Sequence, residues 1–423
     1  MAHNPDPPPP ASEKTFPPGP GATFAAQAQP EFKQVHADVE RRDRLTSPVE
    51  LLWDLVFVFA ITQVTTLLLH HLSWAGFGRS MLVLSLVWWA WSAFVWATNA
   101  HDAESPALRA ALLLALPLIF VVGLTIPLAF GSDSILFATT YAGVRFIHLA
   151  LYADASRRGQ ASRHAITGFA ATVAFGMGLL IIGSFLSEWV RLTLWTMAAA
   201  IDYAGPAWLT RERLRALQRV AVAHFAERYG LFVIICLGES IVEIGVGANG
   251  RPITAALLAA VIGGVVITVG LWWTYFDRFA ATATDRLHDH QEPVLAAADG
   301  YSYLHLVLVA GIIVFAVGMR LAIQHAGEPL DDAARLALTG GIALYLAGHA
   351  AFRLRIVRSL SYENLVAAGA VLVLFALSGD LPAWSVAAAV SVVMAALCAR
   401  ETSREPTPEA GIALTFTSPS RSE

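Results

Sequence analysis

Residues 231–246 read LFVIICLGESIVEIGV, a stretch that is apolar enough to cross a lipid bilayer apart from Glu239, Ser240 and Glu243. An ionisable group inside the hydrocarbon layer costs several kcal/mol unless it is paired or faces water. Because burying a carboxylate at this depth is energetically unfavourable, we expect Glu239 to have a function. The stretch predicts one helix of a membrane protein that does more than anchor itself.

The composition of the whole chain also indicates a protein that lies in a lipid bilayer. Hydrophobic residues make up 56% of the 423 positions and charged residues only 14%, more apolar content than a soluble core of this size needs. We predict an all-α polytopic membrane protein whose partner is the lipid bilayer. About twelve windows have the length that crosses roughly 30 Å of hydrocarbon as a helix. They lie near 50–70, 79–100, 107–129, 134–153, 165–186, 189–209, 227–247, 253–276, 301–325, 335–352, 363–379 and 382–399.

The distribution of basic residues tests this set of windows. Lys and Arg collect in the two terminal segments and in alternate loops, whereas the other loops hold only Arg79, Arg191, Arg251 and Arg335. Basic loops stay on the cytoplasmic side of a membrane. The pattern therefore predicts a multi-pass protein of the inner (plasma) membrane with an even number of spans and both termini in the cytoplasm.

The two ends of the chain differ from the windows in composition. Residues 1–44 are rich in Pro, Ala and charge and lack the apolar core of a secretory signal. We interpret 1–44 and 401–423 as disordered cytoplasmic tails. Cys236 and Cys398 lie inside windows, where they are expected to be small buried residues without a disulfide or metal role.

A repeat of about 180 residues relates the two halves of the chain, since similar motifs recur in the same order. Its matches are Gln63 with Glu239, Trp88-Trp89 with Trp272-Trp273, Phe120 to Gly123 with Phe315 to Gly318, and Tyr141 with Tyr345. We predict two six-helix repeats, 45–215 and 216–400. Because six is even, the repeats would share one orientation and be related by an axis along the membrane normal.

Several of these segments also resemble the bacterial low temperature requirement A proteins. The resemblance is carried by SPVELLWDLVFVFAITQ at 47–63, HFAERYGLFVIICLGES at 224–240, LWWTYFDR at 271–278 and YSYLH at 301–305, and it covers roughly residues 45–400. Trp53 stands where the family more often has Phe. The resemblance implies a multi-span inner-membrane protein linked by name to growth in the cold, but it implies no substrate or reaction.

The candidate site residues are the ionisable and polar groups within the windows. Glu50 and Asp54 share one helical face, with Asp54 about 6 Å inside the cytoplasmic border. Glu239 follows Glu227 by about 18 Å of helix rise, near mid-membrane, and Glu243 lies one turn beyond it. We predict a substrate- or ion-binding site drawn from Glu239, Ser240, Glu243, Asp54, Gln63, Arg145, Asp202, His148, Glu50, His305 and Arg320.

Each candidate also has a structural interpretation. Glu50 and Asp54 could cap or snorkel, His148 could pack in a core, and Arg320 could snorkel to the outer border. His305 could belong to an interfacial aromatic belt with Tyr301 and Tyr303. We expect Arg145 or Asp202 to be the counter-charge of Glu239. The neighbours Glu227-Arg228 and Asp277-Arg278 are predicted to form salt bridges at the membrane edge.

Other chemistry has little support in the sequence. The polar cluster Asp285, His288, Asp289 and His290 is expected to be a solvated loop instead of a metal site. The chain has no glycine-rich phosphate loop, nucleophile elbow or zincin motif. We therefore predict no cofactor, no metal, no nucleic-acid partner and no nucleotide-driven transport, and an enzyme is the less favoured class.

Three classes of function remain. The duplicated helices, the intramembrane acids and a seventh span interrupted by Gly230 and Gly238 favour a secondary transporter or exchanger of a small solute or ion. A duplicated six-helix ion channel is the second class, because residues 54–57 loosely resemble the first-helix motif of endolysosomal potassium channels. A membrane enzyme or lipid-interacting stress protein is the third. The sequence leaves the oligomeric state open, a homo-oligomer included.

Overall fold

The computed structural model describes residues 46–100, 105–157, 163–204, 222–277 and 279–403. The predicted tails 1–44 and 401–423 lie outside this range, except that residues 401–403 are described and 401–402 end the last described helix. The described residues form helices and no β-strand, and their one isolated β-bridge joins Pro329 to Pro382. The predicted all-α fold class is confirmed.

The first six helices each overlap one predicted window. They are α1 (Pro48–His70), α2 (Trp74–Ala100), α3 (Pro106–Thr125, continued by a 3₁₀ turn at Ile126–Leu128), α4 (Ser134–Arg157), α5 (Arg163–Ser184) and α6 (Glu188–Ala204).

The described residues from 222 onward contain six more long helices and a short helical insertion. They are α7 (Val222–Ala248), α8 (Ala255–Phe276), the short α9 (Phe279–His288) and α10 (Pro293–Ala297), a π-helix (Ala298–Leu304), α11 (His305–Gln324), α12 (Asp332–Val357), α13 (Tyr362–Leu377) and α14 (Ala383–Thr402).

Nine stretches of the described chain are long and apolar enough to cross a membrane, which agrees with a multi-pass membrane protein. Helices α6, α12 and α13 are the long helices outside this group. With 17 and 16 residues, α6 and α13 are short. The third, α12, carries charged residues near both ends, at Asp332 and Arg355 among others. Each predicted window thus has its helix, while the exact number of spans stays a prediction.

The segments predicted to lie on the outer side contact one another at one end of the bundle. Arg79 pairs with Glu188, and the guanidinium of Arg191 donates to the carbonyl of Phe130. Arg251 donates to the carbonyl of Gln324, and Arg335 to those of Phe375 and Leu330. All four arginines of the predicted outer segments therefore bind groups at neighbouring helix ends, which supports the alternating direction of the helices.

Large aromatic side chains fill the space between α1, α2 and α7. Trp53, Trp88, Trp91 and Phe232 are fully buried. The ring centroids of Trp88 and Trp91 lie 5.1 Å apart, and those of Trp91 and Phe232 lie 4.2 Å apart. Aromatic rings supply large contact areas in such cores. The polar groups of α1 and α7 are consequently enclosed by protein.

Two local features differ from the sequence predictions. Helix α7 is continuous over 27 residues, so Gly230 and Gly238 do not interrupt it. Residues 279–288, expected to belong to a solvated loop, form α9, which buries Phe279, Ala283 and Leu287 at four-residue spacing. This spacing places the three side chains on one helical face, and the polar residues occupy the other faces.

Candidate functional site

Glu239 lies in the contact between α7 and α1. The Thr62 hydroxyl of α1 donates to Glu239 Oε2 at 2.7 Å. The second oxygen, Oε1, has no hydrogen-bond partner among the described residues, although Glu239 is only 3% exposed. About 14 Å of helix rise separates Glu239 from the end of α7 at Ala248. A buried carboxylate here has half of its hydrogen-bonding capacity unused.

Glu243, one turn further along α7, has a different environment. Arg320 of α11 donates from Nη1 to Glu243 Oε2 at 2.9 Å, and the Arg320 side chain keeps 23% of its surface exposed. Gly247 allows this close approach, because a Cβ there would lie 3.0 Å from the carbonyl oxygen of Arg320. We call Thr62, Glu239, Glu243 and Arg320 the outer site, after the predicted outer side.

The other predicted members near Glu239 contribute less. Ser240 is buried, and its hydroxyl is 3.5 Å from the Cys236 carbonyl of its own helix. Gln63, the predicted repeat equivalent of Glu239, is half-buried on α1. Its neighbour Thr62 makes the contact to the carboxylate instead.

A second group of charges lies further toward the start of the same two helices. Arg228 of α7 reaches two carboxylates of α1, with Nη1 at 3.1 Å from Glu50 Oε1 and Nη2 at 2.6 Å from Asp54 Oδ1. All three side chains are almost completely buried. Both acids share this one guanidinium, which offsets part of the cost of burying them.

Further polar groups complete this group. Trp91 of α2 donates from Nε1 to Asp54 Oδ1 at 2.8 Å. The backbone N–H and the hydroxyl of Ser47 both donate to Glu50 Oε2 at 2.8 Å, which is half of a helix capping box. His224 Nε2 lies 3.4 Å from Glu50 Oε1. We call Glu50, Asp54, Trp91, His224 and Arg228 the inner cluster.

Two predictions about edge salt bridges have different outcomes. The pairing of Arg228 with Glu227 is wrong, because Arg228 is buried against α1 while Glu227 is exposed. Consecutive residues of a helix point in different directions, so this geometry was readable from the sequence. The proposed pair of Asp277 involves Arg278, which lies outside the described residues.

Arg145 and Asp202 neutralise each other instead of Glu239. Arg145 Nη2 of α4 lies 2.6 Å from Asp202 Oδ1 of α6, and both side chains are buried. His148 Nδ1 lies 3.5 Å from Arg145 Nη1, with Tyr152 at 4.9 Å between ring centroids. The expectation that Arg145 or Asp202 is the counter-charge of Glu239 is therefore wrong. The basic group near Glu239 is Arg320, through Glu243.

His305 is a core residue at the start of α11. Its Nδ1 is 3.0 Å from the Gly300 carbonyl and its Nε2 is 2.7 Å from the Tyr275 hydroxyl. A carbonyl can only accept, so Nδ1 carries the proton and Nε2 accepts from Tyr275. His305 and Tyr301 are buried and stacked with ring centroids 4.8 Å apart, so the interpretation as an interfacial aromatic belt is wrong.

The helical bundle and its buried ionic groups define a multi-pass membrane protein with charged residues at helix–helix contacts. The family model described as "Bacterial low temperature requirement A protein (LtrA)" matches residues 46–399. The chain belongs to this family. An uncharacterised protein of Rhizobium meliloti (strain 1021) is 31% identical over 305 residues, which cover 71% of this chain and 75% of that protein. No solved structure matches the chain.

Proposed function

We propose that this protein is a secondary transporter or exchanger of a small solute or ion, with Glu239 at its binding site. The observation that carries the proposal is the Glu239 carboxylate, which is buried while Oε1 has no partner among the residues described. Buried polar groups normally have their hydrogen bonds satisfied. A carboxylate without them is suited to bind a ligand.

The structural alternative for Glu239 is an ion pair, and the other buried acids illustrate it. Asp54, Glu50 and Asp202 each lie within 3.1 Å of an arginine nitrogen. Glu239 makes no such contact with any residue in the described ranges, and its nearest donor is a neutral hydroxyl. Glu239 therefore contributes less to the stability of the fold than those three acids do.

The position of the site fits a duplicated transporter. We propose that 45–215 and 216–400 are six-helix repeats. In support, the Tyr141 hydroxyl of α4 donates to the Leu86 carbonyl of α2, and the Tyr345 hydroxyl of α12 donates to the Leu271 carbonyl of α8. Each bond joins the fourth long helix of its half to the second. Helices α1 and α7 would then be equivalent, and transporters built from repeats bind ligands at the interface between them.

The proposal includes the membrane and the orientation. The basic segments support an orientation with both termini in the cytoplasm, and the protein would lie in the inner membrane. With α1 and α7 unbroken, we propose that access alternates by movement of one half-bundle against the other, as in other transporters built from two such halves.

Flux through reconstituted protein tests the proposal. Liposomes that contain a pH-sensitive dye and the purified protein are given ion and metabolite gradients, and the wild-type protein is expected to show saturable flux that Glu239→Gln removes. Glu227→Gln is the matched control, because it changes an exposed acid of the same helix, and it should keep the flux. Equal flux in Glu239→Gln, or a non-saturating conductance as in a channel, would contradict the proposal.

A further inference from the structure

The outer site has unequal numbers of acids and bases. It brings two carboxylates, Glu239 and Glu243, together with one guanidinium, Arg320. Helix α8, which also packs against α7, contains no charged residue, and the remaining acids of α1 belong to the inner cluster. With both acids ionised the site has a net charge of −1, which is unfavourable inside a membrane. A single positive charge would make it neutral.

Charge balance limits what the site can hold. A proton or a monovalent cation brings the sum to zero, whereas a divalent cation leaves +1 and an anion leaves −2. The choice between a proton and an alkali cation then depends on the oxygen ligands. Transporters that bind Na⁺ use backbone carbonyls freed by unwound helices.

Backbone carbonyls of this kind are not free in the helices that carry the outer site. Helices α1 and α7 are unbroken, so their backbone carbonyls are engaged within the helices. The Thr62 hydroxyl donates to Glu239, and the Thr65 hydroxyl, which donates to Ile61, also lies beside Glu239. A proton needs only the free Oε1.

The outer end of the bundle has an open hollow close to the outer site. A cavity of about 580 Å³ lies there, lined by Arg251, Ile323, Gln324 and others. Ile323 is one turn beyond Arg320 on α11, and the partly exposed Arg320 contacts Glu243. The cavity, Arg320, Glu243 and Glu239 therefore follow one another from the surface toward the bundle interior.

We propose, on the basis of the transporter function above, that the ion bound by the outer site is one proton, held on Glu239 with Arg320 as the fixed counter-charge of Glu243. The proton comes from water in the outer cavity and returns to water, and no covalent bond other than O–H forms or breaks. The solute carried by the protein would move in exchange with this proton or together with it.

Infrared difference spectroscopy of the reconstituted protein reads this proton directly. Stepping the pH in a choline buffer should produce the C=O band of a protonated carboxylic acid. Replacing choline with Na⁺ or K⁺ at constant pH should produce no carboxylate change. A carboxylate shift caused by Na⁺ or K⁺ without a C=O band would overturn the assignment.

Three variants test the charge balance. Glu239→Gln should lose the band, because Glu243 and Arg320 then neutralise each other. Arg320→Met should roughly double the band, since both acids then need a proton. The double variant Glu243→Gln with Arg320→Met should return to the wild-type band, because Glu239 is again the only unbalanced charge. An unchanged band in Glu239→Gln would contradict the proposal, as would a double variant without a band.

The same preparations separate this inference from the transporter function. A wild-type band without flux of any tested solute would leave the proton site standing and remove the transporter proposal. Flux that depends on Na⁺ or K⁺, without a C=O band, would keep the transporter and remove the proton.

Discussion

The inner cluster and the outer site lie on the same two helices, yet their carboxylates have different surroundings. In the inner cluster Arg228 contacts both Glu50 and Asp54, and Trp91 adds a hydrogen bond. In the outer site the arginine contacts Glu243, and Glu239 accepts from the neutral Thr62 hydroxyl with Thr65 beside it. Both groups are buried, so burial alone does not separate them.

This difference indicates which acids hold the structure together and which can take up a ligand. A carboxylate that lies against a guanidinium is held in place, and separating the two is costly in a membrane. A carboxylate with one neutral donor can gain or lose a ligand with little rearrangement. We therefore expect the inner cluster to fix α1 against α7, and we propose that exchange takes place at the outer site.

Replacing Arg228 of the inner cluster is expected to have the largest effect on stability. Arg228→Met should destabilise the protein by about 3–5 kcal/mol, because two buried acids lose their partner. Denaturant titration of the protein in lipid nanodiscs, followed by Trp fluorescence, measures this. The control is Arg355→Met, which breaks the half-exposed pair with Asp299 and should cost no more than about 1 kcal/mol. Equal losses in the two variants would show that the inner cluster is not structural.

The next largest effect on stability is expected in a double-mutant cycle on the buried pair of Arg145 and Asp202. Arg145→Met and Asp202→Asn should each destabilise the fold, and the double variant should recover about 2 kcal/mol of the summed loss, because neither partner is left charged and alone. The cycle uses the same titration. Additive losses would mean that Arg145 and Asp202 do not interact.

The indole donor to Asp54 has a smaller expected effect. Trp91→Phe keeps the ring and removes the hydrogen bond to a charged acceptor, so it should cost about 1–2 kcal/mol. Trp272→Phe is the control, because Trp272 is 41% exposed. If Trp272→Phe costs as much, the hydrogen bond contributes nothing beyond ring packing.

The outer carboxylate should matter least for stability. Glu239→Gln keeps an oxygen that accepts from Thr62, so the free energy of unfolding should change by less than about 1 kcal/mol. Denaturant titration of Glu239→Gln and Arg228→Met under the same conditions tests this prediction. A loss as large as that of Arg228→Met would assign Glu239 a structural role.

Much of the fold could be predicted from hydrophobic length alone. Every long helix overlaps a predicted window, since about 20 apolar residues specify a spanning helix whatever its neighbours are. The segment from α9 to the π-helix was not predicted, because its short helices carry polar residues and gain their stability from packing on the bundle. The predicted interruption of α7 was wrong, because packing against neighbouring helices outweighs the low helix propensity of its two glycines.

The site was predicted in part. The burial of Glu239 and the single face of Glu50 and Asp54 follow from helix geometry. Arg228 could have been found by the same geometry, because it lies about three turns before Glu239 on the same face of α7. The pairing of Arg145 with Asp202 could not be predicted in this way. It depends on how α4 and α6 are rotated toward each other, and no pattern within either helix specifies that rotation.

Labelling with a hydrophobic carbodiimide tests most directly whether Glu239 is the exchangeable acid. Dicyclohexylcarbodiimide enters the lipid phase and reacts with protonated carboxyl groups, and peptide mass spectrometry of the labelled protein locates the adduct. We expect the adduct on Glu239, with Glu50 and Asp54 unlabelled beside Arg228. An adduct on Glu50 or Asp54 with Glu239 unmodified would contradict the account.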